Sequence, residues 1–160
     1  MKDLQLTKVP VASAGMLIRR PVSEVFEAFL NPDITTKFWF TKSSGRLGAG
    51  KRVRWDWEMY NVSTQVDVKE VVENKRILFE WGDPGEVTMV EWIFTPYSGD
   101  TTHVSITNFG FKGDGDSIVK KALDSTGGFT TVLDSAKAWL EHKINLNLIV
   151  DKFPSGHKND

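Results

Sequence analysis

The last predicted helix, residues 128–145, constrains the fold of this chain more than any other stretch. Its apolar side chains recur at steps of three and four, the spacing of a helix with one buried face. They are Phe129, Val132, Leu133, Ala136, Trp139, Leu140 and Ile144, with Lys143 inside the same stripe. Gly127 and Gly128 are expected to separate this helix from a shorter one over 117–124, with Ser125 or Thr126 capping its start. Such a helix needs another layer of structure to cover its stripe.

Most of the chain before this helix alternates between apolar and polar residues, as half-buried strands do. Trp55 and Trp57, for example, alternate with Arg54 and Asp56. The predicted strands cover 11–19, 45–47, 51–59, 64–70, 77–81, 87–95 and 104–108, with helices from Pro21 and over 35–39 and an extended tail over 148–154. This pattern predicts an α+β fold in which six or seven antiparallel strands curve around the long C-terminal helix.

Composition is that of an ordinary globular protein. The chain has 160 residues, of which 40% are hydrophobic and 26% charged, so we expect a single domain over 1–160 with an extended tail over 147–160. A net charge of −1 gives no indication of nucleic-acid binding, and no apolar run is long enough for a membrane span. The absence of cysteine excludes disulfides and fits a cytoplasmic location. Monomer and homodimer both stay open.

Residues suited to catalysis do not form a recognisable set. The three histidines lack the spacing of metal ligands, and there is no G-x-S-x-G motif for a nucleophile. Glu58, Glu80 and Glu91 alternate with the apolar positions of their strands, which places them on the outer face of the sheet. A one-residue error in strand phase would instead bury Glu91 and make it a candidate acid or base. We therefore predict no metal, no cofactor and no catalytic residues.

The tryptophans give the strongest indication of a binding site. Six Trp and ten Phe against two Tyr supply bulk with little polarity, which suits a filled core or the wall of an apolar pocket. Both alternatives stay open, and both can hold at once. The residues predicted to face a ligand are Trp39, Trp55, Trp57, Met59, Trp81, Trp92, Asn108, Phe129, Val132, Trp139 and Lys143. Asn108 and Lys143 would orient the ligand, unless Lys143 extends to solvent at the helix edge.

Four stretches, in this order, resemble a known family. They are the helix that opens with P-V-S-E-V-F at Pro21, the K-F-W-F run at 37–40, the V-E-W-x-F-x-P strand at 90–96, and G-F-x-x-V-L ending in W-L-E over 128–141. Over residues 13–146 the chain resembles the family related to the C-terminal domain of the activator of the heat-shock-90 chaperone ATPase. This family is part of the START-like (SRPBCC) superfamily. Phe129 stands where the family usually has tryptophan.

The resemblance implies a helix-grip fold of the START/Bet v 1 type, with a cavity between the sheet and the long helix. Because superfamily members bind apolar molecules there, it implies a small soluble protein that holds a hydrophobic or amphipathic small molecule. The family name implies an alternative, a co-chaperone-like module of the stress response that binds the heat-shock-90 chaperone. A third possibility is a cyclase or dehydratase. The fold alone does not decide among these functions.

Overall fold

Seven antiparallel strands form one curved sheet in the computed structural model, which describes residues 4–154. The strands are β1 (Ala12–Ile18), β2 (Lys42–Ser43), β3 (Arg52–Trp57), β4 (Val62–Val72), β5 (Arg76–Trp81), β6 (Thr88–Tyr97) and β7 (Thr101–Phe109). The helices are α1 (Val22–Leu30), α2 (Pro32–Thr35), α3 (Gly115–His142) and α4 (Leu148–Lys152). Across the sheet the order is β1-β7-β6-β5-β4-β3-β2. The predicted α+β helix-grip fold is confirmed.

Aromatic rings fill much of the space between the sheet and the helices. Trp55 and Trp92 are each only 2% exposed. Phe40 stacks on Trp55 with ring centroids 4.4 Å apart, and Phe29 of α1 lies 4.6 Å from Trp92. These two tryptophans therefore belong to the hydrophobic core, where aromatic pairs contribute beyond the area they bury.

Helix α3 is one continuous helix of 28 residues, so the predicted break at Gly127 and Gly128 is wrong. Asp114 caps its start by accepting a hydrogen bond of 2.8 Å from the backbone N–H three residues later. Ser125 and Thr126, predicted as caps, lie inside the helix. A glycine costs a helix only about 1 kcal/mol relative to alanine, and buried residues on both sides of the pair outweigh this cost.

The same helix ends earlier than predicted. Lys143 adopts a left-handed φ of +54°, and its N–H donates to the carbonyl of Trp139 at 2.8 Å to close the last turn. Ile144 therefore lies beyond the helix and is 49% exposed, outside the buried stripe. Lys143 is not part of the stripe either, and its Nζ lies 5.7 Å from the centroid of the Trp139 ring.

The tail predicted as extended over 148–154 is instead the short helix α4. It folds back because Ile149 packs against the core and the hydroxyl of Tyr60 donates to the carbonyl of Ile149 at 2.9 Å. The remainder of the predicted tail, residues 155–160, lies outside the described part of the chain.

The strand predicted to run through Met59 ends at Trp57. Residues Glu58–Tyr60 form a 3-10 turn, and Asn61 reverses the chain with a left-handed φ of +51°. Met59 consequently lies on this turn, 37% exposed, and not on an inward strand position. The alternation of apolar and polar residues continues by chance past the true strand end, which is why the sequence predicts the turn only at residues 60–61 and not from Glu58 onward.

Three smaller boundary differences have local causes. The strand predicted at 45–47 forms earlier, at Lys42–Ser43, where the chain pairs with β3. The second helix forms at Pro32–Thr35 because the Asn31 side chain caps it and Pro32 suits its first position. A β-bulge between Val68 and Glu70 shifts the alternation of β4, so that Val71 packs on the core in place of Glu70.

The acidic residues of β5 and β6 have the predicted strand phase. Glu80 lies 3.7 Å from Lys69, and Glu91 pairs with Arg76 at 2.6 Å. Both therefore engage neighbouring cations of the sheet, and their apolar neighbours Phe79 and Val90 fill the core.

A polar clamp fixes the C-terminal end of α3 to the end of β1. Lys137 donates to the carbonyl of Leu17 at 2.7 Å and to the carboxylate of Glu141. The same carboxylate accepts a 3.0 Å hydrogen bond from the backbone N–H of Arg19. Burial opposes ionisation of Glu141, but these hydrogen bonds together outweigh it, so that its pKa lies below the ordinary value of 4.5.

We predict that this clamp makes the free energy of unfolding depend on pH. A carboxylate whose pKa is lower in the folded state stabilises the fold above about pH 4.5, and this contribution is lost as the pH falls through the folded-state pKa. Glu141→Gln should lower the free energy of unfolding at pH 7 by roughly 1 kcal/mol. Urea denaturation between pH 7 and pH 3 should show the difference between wild type and variant shrinking with acid. A difference that stays constant with pH would contradict the assignment.

Candidate functional site

A cavity of about 780 Å³ lies between the sheet and α3, close to the turn before β4 and to α4. Four aromatic side chains from separate elements meet in it: Trp39 after α2, Trp57 at the end of β3, Trp81 at the end of β5 and Phe129 on α3. Ring centroids are 5.6 Å apart for Trp81 and Phe129, and 6.0 Å apart for Trp39 and Trp81. The volume lies within the range of small-molecule sites in proteins.

Charged side chains lie around this aromatic interior. They are Lys112, Lys121 and Lys152 with Asp83, Glu86 and Asp124. Lys121 is held by the loops beside it, since it lies 3.5 Å from the carboxylate of Glu86 and donates to the carbonyl of Lys112 at 2.7 Å. The cavity is therefore amphipathic, aromatic within and charged where it meets solvent.

Helix α4 and the 3-10 turn lie together at one side of the cavity. Ile149, Lys152 and Phe153 line it together with Tyr60. Burial, followed by the nearby charge of Asp151, raises the pKa of the Tyr60 hydroxyl. Tyr60 is therefore neutral at pH 7 and acts as a hydrogen-bond donor to α4.

Asn108 is buried, and its side-chain amide is already engaged by protein groups. Its Nδ2 donates to Thr88 Oγ1 at 2.9 Å and to the carbonyl of Met89 at 2.8 Å. Its Oδ1 accepts from the Ser125 hydroxyl at 2.7 Å. Asn108, which the sequence predicts to orient a ligand, thus connects β7, β6 and α3 at the cavity wall.

Six of the eleven predicted ligand-facing residues line the cavity: Trp39, Trp57, Trp81, Asn108, Phe129 and Val132. The other five lie elsewhere. Trp55 and Trp92 point inward as predicted but are covered by other rings in the core. Met59 lies on the 3-10 turn, and Trp139 and Lys143 lie at the C-terminal end of α3. For all eleven, contact with a ligand remains a prediction.

Several cavity residues carry no signal in the hydrophobic pattern. Tyr60, Gly127, Gly128 and Ile149 line the cavity, yet two are glycines and two lie in segments predicted as turn or tail. For Ser125 the sequence predicts only a role as a helix cap. Alternation identifies inward strand positions, but it does not tell which loop and tail residues fold over them.

Residues 4–154 contain no cluster of metal ligands and no membrane-spanning helix. No group of three or more His, Asp or Glu side chains is arranged to hold a metal ion in that part of the chain. None of its helices is both long and apolar enough to cross a membrane.

The curved sheet, the long helix and the cavity between them define a START-like helix-grip protein. Residues 19–141 match the family model described as "Activator of Hsp90 ATPase homolog 1-like protein", and the chain belongs to that family. The predicted resemblance is thereby confirmed. No curated protein matches the chain.

Solved structures from several bacteria have the same fold. A protein from Staphylococcus saprophyticus is 28% identical, with a TM-score of 0.73, over 85% of this chain and 95% of that one. The Aha1 dimer from Colwellia psychrerythraea is 15% identical, with a TM-score of 0.68, over 82% and 96%. DynU16, from the dynemicin biosynthetic locus, is 19% identical, with a TM-score of 0.73, over 85% of this chain but 49% of its own. At these identities the last two show the fold alone.

We predict that the Asn108 side chain stabilises the folded protein. Asn108→Ala removes three partly buried hydrogen bonds, including the one that the side-chain amide donates to the Met89 carbonyl, so the free energy of unfolding should fall by about 1–3 kcal/mol. Urea denaturation measures this loss. Asn145→Ala is the control, since it removes only one exposed hydrogen bond, from the Asn147 N–H, and should change stability by less than about 0.5 kcal/mol. Equal stabilities of the two variants would contradict a stabilising role for the hydrogen bonds by which Asn108 connects β6, β7 and α3.

Proposed function

We propose that this protein binds a hydrophobic or amphipathic small molecule in the cavity between the sheet and α3. The observation that carries the proposal is the space of about 780 Å³ lined by Trp39, Trp57, Trp81 and Phe129. Aromatic walls of this kind offer a large apolar surface at a low cost in side-chain entropy. Membership of the family supports the same function, as superfamily members hold apolar molecules in this position.

We further propose that the protein acts by binding alone. The carboxylates that line the cavity, Asp83, Glu86 and Asp124, lie in exposed loops or on the exposed face of α3. A general acid or base works best when burial or a neighbouring charge adjusts its proton affinity to the reaction. The acidic residues of β5 and β6 are engaged in ion pairs and are absent from the cavity wall. These placements favour a binding protein over a cyclase or dehydratase.

A side chain that fills the cavity should weaken ligand binding. Thr131 lines the cavity, whereas the adjacent Thr130 is exposed and does not. The neutral dye N-phenyl-1-naphthylamine should bind the wild type saturably, with a rise in dye fluorescence. Thr131→Phe should weaken this binding at least tenfold because the added ring occupies ligand space, and Thr130→Phe should leave it unchanged.

Two results would count against the proposal. One is the absence of saturable binding to the wild type by this dye and by a panel of other apolar molecules. The other is equal binding by the two phenylalanine variants, since this would place the dye outside the cavity. Circular dichroism spectra should confirm that both variants are folded before binding is compared.

A second candidate function is that of a co-chaperone-like module for the heat-shock-90 chaperone. It is favoured by the family description and by the name of the Colwellia protein. Adding this protein to the cognate chaperone should then raise the ATPase rate, and Thr131→Phe should not affect the increase if the surface and not the cavity is used. No change in rate at high protein concentration would rule this candidate out.

A further inference from the structure

Two consecutive glycines in the middle of α3 face the cavity, and the folded protein does not require them there. Both line the cavity and have helical backbone angles, so neither serves a turn. Among residues 4–154, leaving aside the backbone of α3 itself, a Cβ atom added at Gly128 would meet nothing within 4 Å, and one added at Gly127 would meet only Lys152 Nζ, at 3.7 Å. Alanine would therefore fit at either position and would favour the helix.

The bare backbone at this point widens the cavity where the aromatic wall ends. Phe129, the next residue, is buried and lies 5.6 Å from Trp81, centroid to centroid. A ligand resting on these rings can extend over the two glycines and approach the helix more closely than any side chain would allow. Glycine at these positions therefore makes the helix less stable than alanine would, but it leaves more space in the cavity for a bound molecule.

A cation lies above the same stretch. Lys152 of α4 lines the cavity, and its Nζ lies 3.7 Å from the position that a Cβ atom of residue 127 would occupy. Among residues 4–154, no carboxylate forms an ion pair with it, although Asp83, Glu86 and Asp124 also line the cavity. Its position is set by α4, which Tyr60 and the buried face of Ile149 hold in place.

We infer that the cavity ligand is an anionic amphiphile whose acidic group binds Lys152 and whose apolar body lies on Gly127, Gly128 and Phe129. The inference rests on the proposed function and specifies the chemical class of the ligand. An ammonium group beside a partly apolar site attracts an anion more strongly than it would in open solvent. The glycines let that anion and the adjoining apolar body reach the helix surface.

Two dyes with the same framework test the charge. N-phenyl-1-naphthylamine is neutral, and 1-anilinonaphthalene-8-sulfonate carries one sulfonate on the same rings. Lys152→Gln should weaken binding of the anionic dye about fivefold, the effect of losing an exposed ion pair, and leave the affinity for the neutral dye unchanged. Lys51→Gln removes the same charge from an exposed residue outside the cavity and should change neither affinity.

The glycines are tested by a pair of opposite effects. Gly127→Ala and Gly128→Ala should each raise Tm by about 2–4 °C, since alanine favours the helix. Each variant should also bind both dyes at least threefold more weakly, because the methyl group occupies ligand space. If a glycine is needed only for packing, its substitution by alanine should instead lower Tm, and dye affinity should fall only as far as the loss of stability explains.

The outcomes separate the inference from the proposed function. The inference is supported if Lys152→Gln loses affinity for the anionic dye and keeps its affinity for the neutral one. It also requires that both glycine variants have a higher Tm than the wild type and bind both dyes more weakly. If Lys152→Gln weakens both dyes equally or neither dye, or if the alanine variants bind as well as the wild type, the inference is overturned while binding in the cavity stands. If the wild type binds neither dye, the proposed function fails as well.

Discussion

The packing of the C-terminal half of α3 against the sheet is the interaction on which the rest of this structure depends. Phe129, Val132, Leu133, Ala136 and Leu140 are buried on this half, and the clamp through Lys137 and Glu141 fixes its end to β1. The N-terminal half buries much less, with Ala122 as its one buried residue. One half of the helix thus closes the core, and the other half extends over a space that side chains do not fill.

That asymmetry explains both the position of the cavity and the features that border it. Where α3 leaves the core, the aromatic side chains of β3 and β5 lose their covering layer, and Trp57 and Trp81 become cavity wall. The Asn108–Ser125 hydrogen bond then holds the less buried half of the helix at a fixed distance from the sheet. Helix α4 packs beside the opening and brings a lysine to the bare backbone of the glycine pair.

The fold was predictable from the sequence because its strands alternate and its long helix carries a continuous apolar stripe. Val53 and Trp55 illustrate the reason, since a buried residue every second position leaves one possible strand phase. The glycine pair misled the prediction, because helix propensity is weak compared with the tertiary packing of residues on either side. Tryptophan content indicated bulk correctly, but periodicity could not separate Trp55 and Trp92 in the core from Trp57 and Trp81 at the cavity, since all four occupy inward positions.

We propose above that a small molecule binds between Trp81 and the backbone at Gly127 and Gly128. Two-dimensional 1H–15N NMR of the protein with added 1-anilinonaphthalene-8-sulfonate tests it most directly, because each glycine amide and each tryptophan indole gives its own signal. Binding at this position should give saturable shifts concentrated on Gly127, Gly128, Phe129 and the indole of Trp81, with little change at Tyr97 on the exposed end of β6. Shifts confined to exposed residues away from the cavity, or no saturable shift, would contradict it.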